Sequence, residues 1–256
     1  MGTELRLDLG MLYAFLLVLA RVSGAFIYVP LPGIKAGPEM ARAVLALSLT
    51  FALFSSWPSI DPSGVTIGVL MGWLVAEAGL GIAVGLAVSF LTEGFQLGAQ
   101  IVSLNAGYSF ASTIDPNSGA DSTVLLTIAQ LTAGLLFFAT GLDRQVLFIF
   151  AQSLTTHPPG HFAITRSMAD TLIQLGSSIF VTGLRLVLPL LGLLLMVEIS
   201  LALLSKLNSQ LHVMQLSLPV KMLLSLVLLG WLVSIFPKVF TQSTGPVLQV
   251  IRTLLS

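Results

Sequence analysis

Residues 172–204 read LIQLGSSIFVTGLRLVLPLLGLLLMVEISLALL, an apolar run that only two charged side chains interrupt. A helix rises about 1.5 Å per residue, so this run would reach about 50 Å, whereas the hydrocarbon core of a bilayer is about 30 Å thick. Pro189 divides the run almost in half, and a proline inside a helix removes a backbone hydrogen bond and crowds the preceding turn. The run therefore predicts a membrane segment with a strong kink or a tight hairpin at Pro189, not one straight rod.

Five further apolar segments accompany this run. A membrane crossing needs about 20 mostly apolar residues, and prolines end several of the segments. The sequence predicts an all-α membrane protein with about six apolar helical segments, two of which have the wrong length for a simple crossing. The five other segments are 9–29, 41–57, 65–91, 124–142, which extends to 154 if its helix continues, and 216–239.

The composition of the whole chain excludes several classes of protein. Of 256 residues, 55% are apolar and 9% are charged, with 11 basic against 11 acidic side chains. A mean hydropathy of +0.99 leaves too few polar residues to cover a soluble core. An ordinary soluble enzyme, a disordered protein and a nucleic-acid binder, which needs a basic stripe, are therefore excluded. The chain has no cysteine, which rules out disulfides and thiolate chemistry.

Two features bear on how the chain lies in the membrane. Glu4, Arg6 and Asp8 give the residues before the first segment a negative net charge, so we expect that segment to remain rather than to be cleaved as a signal peptide. If the chain crosses the membrane six times, the lysines and arginines of its loops are divided almost evenly between the two sides of the membrane. The positive-inside rule therefore assigns no orientation. Either the bias is weak, as in some transporters, or protein partners surround these segments.

Four charged side chains lie inside apolar runs: Arg21, Glu77, Arg185 and Glu198. Each would cost several kcal/mol against lipid, so each should face protein or water. Arg185 and Glu198 are about 20 Å apart along a helix and can pair only if the chain folds back at Pro189. We interpret the four as members of ion pairs between helices or subunits. The alternative is a proton or ion relay, although neither glutamate has a second carboxylate three or four residues later.

Small residues recur at helical spacing in the middle of the chain. Gly81 and Gly85, and again Gly94 and Gly98, are separated by three residues. Such pairs let the backbones of two membrane helices approach closely. They predict tight helix packing without identifying the partner helix.

Residues 105–121, NAGYSFASTIDPNSGAD, differ from the rest of the chain. Glycines and the Asp115-Pro116 step prevent a long stable helix there, so we expect an irregular loop. Long irregular loops are more often functional than decorative, although a surface loop without a role remains the alternative.

The sequence lacks a catalytic constellation. The spacing from Asp115 to Asp121 resembles a calcium loop but has Ala120 and Leu126 where such a loop needs glycine and glutamate. His157 and His161 are separated by a Pro-Pro-Gly turn that prevents both from binding one metal on a helix. The chain is therefore expected to be no enzyme and to need no cofactor. There are two alternatives. One is a secondary transporter that uses Glu77 or Glu198, although the sequence has no detectable inverted repeat of the kind many transporters contain. The other is an intramembrane enzyme.

Several short motifs follow one another along the chain: ARVSG at 20–24, AQI at 99–101, GYS at 107–109, DPNSG at 115–119, the Leu188-Pro189 step, LNSQLHVM at 207–214 and PVK at 219–221. The chain resembles the FliR family of flagellar and type III secretion export-gate subunits over nearly its whole length, as one domain over residues 1–256. It departs from the family pattern at Ser209, where proline is usual, and at residues 142–144, where a Gly-His pattern is common.

This resemblance implies a function. FliR-like proteins assemble with FliP-like and FliQ-like subunits into a helical gate, in the bacterial inner membrane at the flagellar basal body, that exports unfolded proteins. An FlhB-like switch protein wraps the cytoplasmic entrance, towards which the segment with Lys206, Asn208, Gln210 and Lys221 is expected to lie. The loop is expected to plug the closed pore through Tyr108, Phe110, Ser112, Thr113, Ile114, Asp115, Pro116 and Asn117. Membrane lipid and unfolded substrates are the further expected partners, and nucleic acid is not expected.

Overall fold

The computed structural model describes residues 9–29, 39–108, 124–160, 166–207 and 213–255, and all regular structure in these ranges is helical. This confirms the predicted all-α class. The helices are α1 (Leu9–Tyr28), α2 (Glu39–Ala52), α3 (Ile67–Ala106), α4 (Val124–Ala139), α5 (Leu142–Thr156), α6 (Arg166–Leu207) and α7 (Val213–Leu255), with a short 3-10 helix at Phe54–Ser56.

Helices α1, α3, α6 and α7 are long and apolar enough to cross a membrane. Helices α4 and α5 meet at a bend of 60° and make a fifth candidate if the pair forms one broken span. Within the described ranges this gives four or five candidate spans, and the chain is a multi-pass membrane protein.

The predicted crossing at 41–57 is wrong. Helix α2 ends at Ala52 and has only 14 residues, which is too short to cross the hydrocarbon core. The chain turns there because Phe54–Ser56 forms a 3-10 helix and the Trp57 indole donates to the Thr50 carbonyl at 3.0 Å. The apolar residues after Ala52 therefore belong to a turn that folds back on α2.

Pro189 does not fold the longest run into a hairpin. Helix α6 continues through it for 42 residues, from Arg166 to Leu207, so the tight-hairpin alternative is wrong. A proline removes one backbone donor, the one that would bond to the Arg185 carbonyl, and the turns on either side keep theirs. A kink at this position stays a prediction.

Helix α3 is longer than the apolar segment at 65–91 that predicts it. It extends for 40 residues to Ala106 and includes the polar residues Glu93 and Gln96. Gln96 and Ser103 are buried there. The polar side chains therefore belong to the interior of a continuous helix and do not mark its end.

The chain divides into two compact units. The first comprises Met1–Phe90, Phe137–Gly176 and Thr244–Ser256, and its core includes Leu17, Val84 and Leu142. The second comprises Leu91–Leu136 and Ser177–Ser243. Its core contains Phe95, whose ring lies 4.8 Å from that of Phe236 and 5.7 Å from that of Phe240. That the chain forms one domain stays a prediction.

Candidate functional site

A fully buried ion pair joins the first and third helices in the first unit. Arg21 Nε on α1 donates to Glu77 Oε2 on α3 at 2.6 Å, and neither side chain has any solvent exposure. An unpaired buried charge is strongly unfavourable, whereas a pair with its remaining donors and acceptors satisfied is tolerated. The pair brings together two of the four charged residues that interrupt apolar runs.

The remaining polar atoms of this pair are bonded to α5 and to the turn that follows it. Arg21 Nη1 donates to Ser153 Oγ at 3.1 Å, and Nη2 donates to the His157 carbonyl at 3.2 Å. The Gly160 N–H donates to Glu77 Oε1 at 3.0 Å. One buried network thus connects α1, α3 and the end of α5. We call these residues, Arg21, Glu77, Ser153, His157 and Gly160, the charge network.

Close contact between the backbones of α1 and α3 makes this pair possible. A Cβ atom placed on Gly81 would overlap the carbonyl oxygen of Arg21, and one placed on Gly85 would overlap that of Ala25. On α1, a Cβ on Gly24 would lie 2.5 Å from the Ala78 carbonyl oxygen. The small-residue pair at 81 and 85 therefore packs on α1, and the helix partner that the sequence left open is identified.

The second unit contains a different ion pair. Lys221 Nζ on α7 lies 3.1 Å from Glu198 Oε1 on α6, and the carboxylate side chain is 61% exposed. Glu198 therefore pairs with a residue of the neighbouring helix rather than with Arg185, which is exposed on α6. Nothing in the sequence indicated this partner, because the two residues lie 23 positions apart and on different helices.

The end of α3 is held in place by backbone and side-chain hydrogen bonds. Gly107 has a φ of 90°, and its N–H donates to the Leu104 carbonyl while the Tyr108 N–H donates to the Ser103 carbonyl. This is the Schellman arrangement that ends many helices, and its left-handed position favours glycine. The Tyr108 hydroxyl then donates to the Met222 carbonyl of α7 at 2.9 Å.

Tyr108 is the one member of the predicted plug within the described residues. Of the predicted entrance residues, Lys206 lies in the last turn of α6 and Lys221 in the ion pair with Glu198. The predicted residues that lie outside the described ranges are Phe110, Ser112, Thr113, Ile114, Asp115, Pro116, Asn117, Asn208 and Gln210.

Other polar side chains became visible only in the structure. Gln130 Nε2 on α4 donates to Gln96 Oε1 on α3 at 3.1 Å inside the second unit. Ser153 and the backbone N–H of Gly160 complete the charge network, although a single serine and a turn glycine carry no specific signal in a sequence. Across the described ranges, no group of three histidine, aspartate or glutamate side chains is placed to hold a metal ion.

Comparison with known proteins identifies the family. Residues 12–246 match the family described as bacterial export proteins, family 1. The flagellar biosynthetic protein FliR of Escherichia coli strain K12 is 27% identical over 245 residues, which cover 95% of this chain and 92% of the relative. FliR of Bacillus subtilis strain 168 is 24% identical over 249 residues, which cover 95% of each chain.

A third relative agrees. FliR of Caulobacter vibrioides is 24% identical over 241 residues, covering 93% of this chain and 95% of the relative. The matched residues include α1 from Leu12 onward, all of α2 to α6 and most of α7, so both units belong to the match. The chain therefore belongs to the FliR family of bacterial export proteins.

Proposed function

We propose that this chain is a membrane subunit of the flagellar type III protein export gate. With FliP-like and FliQ-like subunits it would form the channel through which unfolded flagellar proteins leave the cell, in the inner membrane at the flagellar basal body. The family match over residues 12–246 and the flagellar names of the similar proteins support this role. The chain would act as a structural and transport component and would have no enzymatic activity.

The observation that carries the role of a gate subunit is the exposure of the two longest helices. In the apolar windows of α6 and α7 only 17% of the residues are buried inside the chain, compared with 44% for α1 and 56% for α3. Large apolar side chains such as Met196, Val227 and Trp231 are more than half exposed. Contiguous apolar surface of this kind needs lipid or other protein against it. In an export gate, FliP-like and FliQ-like helices would cover it.

The structure offers little support for the alternative of a secondary transporter. A coupling carboxylate must be able to exchange its proton or ion. Both oxygens of Glu77 already accept hydrogen bonds, from Arg21 and Gly160, and Glu198 pairs with Lys221. Neither glutamate is therefore placed as a free acceptor.

Two segments would have specific roles in the gate. We infer that the plug segment, residues 108–117, fills the closed channel with Phe110 and Ile114. The fixed position of Tyr108 at the end of α3 supports this, because a segment that blocks a pore needs a defined starting point. The entrance segment, residues 206–221, would lie towards the cytoplasmic side, where an FlhB-like switch protein contacts the gate.

Co-purification tests the proposed assembly. The tagged full chain is expressed with and without FliP-like and FliQ-like proteins of the same organism, extracted in mild detergent and weighed by native mass spectrometry. We expect one large complex containing a single copy of this chain and several copies of the others, and an aggregated or degraded chain without them. A folded monomer that gains no partner under either condition would overturn the proposal.

A further inference from the structure

One basic side chain on α6 has no partner among the described residues. Arg185 lies near the middle of this helix and is exposed. No carboxylate of the described ranges pairs with its guanidinium group, and Glu198, the nearest acidic residue along α6, is bonded to Lys221 instead. An arginine within an apolar membrane helix is costly unless an anion or water meets it. Within these residues the charge of Arg185 is therefore unmatched.

The surface that surrounds Arg185 is apolar. Residues three or four positions apart lie on the same side of a helix, so seven exposed positions of α6 form one stripe along it. Arg185 is the only charged member of this stripe, and the side chains of Leu188 and Met196 are 54% and 68% exposed. We call the following residues the α6 stripe: Val181, Arg185, Leu188, Gly192, Met196, Ile199 and Leu203.

The opposite side of α6 is covered by α3 within the second unit. A Cβ atom placed on Gly183 would overlap the carbonyl oxygen of Gly94, so the two backbones are in contact there. At Gly192, in the α6 stripe, a Cβ atom would meet no atom within 4 Å. The stripe is therefore open, and its glycine leaves room for the backbone of another helix to approach closely.

The hydrocarbon of a bilayer is too thin to cover the apolar surface of α6 by itself. Large exposed apolar side chains extend along this helix from Ile173 to Leu203, and 30 residues of helix span about 45 Å. The hydrocarbon core is about 30 Å thick, and membrane helices tilt by about 20° on average. Part of this surface therefore needs protein against it, and a protein that covers Arg185 has to supply an anion.

These observations specify the chemistry of a partner. We propose that the α6 stripe binds an apolar helix of another gate subunit, and that an aspartate or glutamate of this helix pairs with Arg185. A guanidinium group and a carboxylate can form two parallel hydrogen bonds, which fixes the orientation of both side chains. The pair would set the register of two helices whose other contacts are apolar and unspecific. This inference rests on the proposed function, because it takes its partner from the export gate.

Removal of the charge tests whether Arg185 needs a carboxylate from a protein. The full chain with Arg185→Leu is co-expressed with the FliP-like and FliQ-like proteins, and native mass spectrometry measures the fraction of the chain that is assembled. We expect this fraction to fall about tenfold, because the carboxylate of the neighbouring helix loses its charge-assisted hydrogen bonds in apolar surroundings. If Arg185 faced hydrocarbon, the same change would leave assembly unchanged or improve it. Arg166→Leu, at an exposed arginine in the first turn of α6, is the matched control and should assemble normally.

Cross-linking identifies the carboxylate. Arg185→Lys keeps the positive charge and introduces an amine, which a carbodiimide joins to a carboxylate in contact with it. We expect a cross-link from position 185 to an aspartate or glutamate of another gate subunit, located by peptide mass spectrometry, and no cross-link to another subunit from Arg166→Lys. Replacing the identified carboxylate by arginine should then restore the assembly of Arg185→Glu, a recovery that a misfolded chain would not show.

The outcomes separate this contact from the proposed function. If the unmodified chain forms no complex with the other gate subunits, both proposals are wrong. If the complex forms but Arg185→Leu assembles as well as the unmodified chain, or position 185 gives no cross-link to another subunit, only the contact at Arg185 is wrong. Phosphatidylglycerol that stays bound to the unmodified complex and is lost with Arg185→Leu, without any cross-link, would also overturn the contact, because a lipid phosphate would then pair with Arg185.

Discussion

Arg21 and Glu77 are 56 positions apart in the sequence, yet their side chains meet at 2.6 Å in a contact that solvent does not reach. Both residues interrupt apolar helices, and each alone would make its helix a poor membrane segment. Together with Ser153, His157 and Gly160 they satisfy one another, so that two unfavourable residues become one contact that fixes three helices. The energetic value of such a contact depends on both partners being present.

Replacing one partner of this pair should therefore destabilise the protein severely. Glu77→Gln keeps the size of the side chain but leaves the Arg21 guanidinium charged and buried, at an expected cost of about 3–5 kcal/mol. Glu198→Gln is the matched control: its side chain is 61% exposed and that of its partner Lys221 is 13% exposed, so the same change should cost less there than at Glu77, where both side chains are fully buried. Thermal unfolding followed by fluorescence-detected gel filtration compares the two. Equal losses of stability would show that burial of the Arg21–Glu77 pair is energetically unimportant.

Replacing both partners should recover most of that loss. In Arg21→Met/Glu77→Met no charge remains buried, and two flexible apolar side chains can fill the space. Ser153 would lose one donor and retain its own bond to the Phe150 carbonyl at 2.6 Å. We expect the double variant to be more stable than Glu77→Gln in the same assay. A double variant as unstable as the single one would mean that the pair specifies the fold in a way that apolar packing cannot replace.

The sequence predicts a helix well where neighbouring residues determine its ends, and poorly where contacts with residues distant in the sequence determine them. The first helix was expected at 9–29 and occurs at Leu9–Tyr28, since an apolar run followed by prolines leaves little choice. The third segment was expected to end at residue 91, but α3 continues to Ala106, and the buried Gln96 side chain on this extension accepts a hydrogen bond from Gln130. A single sequence does not show which residue of another helix will bond to a buried polar side chain such as that of Gln96.

The same distinction applies to the candidate sites. The four charged residues in apolar runs are evident from composition, whereas their pairing depends on which helices are neighbours. At Pro189 the effect of a local feature was overestimated. A proline removes one backbone hydrogen bond of a helix, and here that loss does not fold the helix back, since α6 continues through Pro189.

The glycines of α3 should differ sharply in their tolerance of a methyl group. Gly81→Ala places a Cβ atom against the Arg21 carbonyl, where backbone cannot move aside, so α1 and α3 must separate and the charge network must stretch. Gly72→Ala, on the same helix, meets no atom within 4 Å and should be neutral or slightly stabilising. The yield of monodisperse protein on gel filtration distinguishes them. Similar yields would contradict close packing of α1 on α3.

Removing most of the plug segment should open the channel if that segment blocks it. Deletion of residues 110–117 is expected to raise ion leakage through the assembled gate in planar bilayers while the complex keeps its composition. The deletion leaves α3 and its glycine cap unchanged, so assembly serves as the internal control. Unchanged conductance in an intact complex would refute the plug, and the chain would still belong to its family.

Tyr108→Phe tests the same region without shortening the chain. The variant loses only the hydroxyl that donates to the Met222 carbonyl, a contact worth about 1 kcal/mol, and keeps the aromatic ring. The carbonyl retains the hydroxyl of Ser225 as a second donor at 2.8 Å, so α7 should remain intact. Because the plug segment would then leave α3 from a less defined position, we expect leakage between that of the unmodified gate and that of the deletion. Tyr28→Phe, at an exposed tyrosine at the end of α1, is the matched control and should not leak. If Tyr108→Phe seals as tightly as this control, the hydrogen bond to α7 helps to end α3 but does not position the plug.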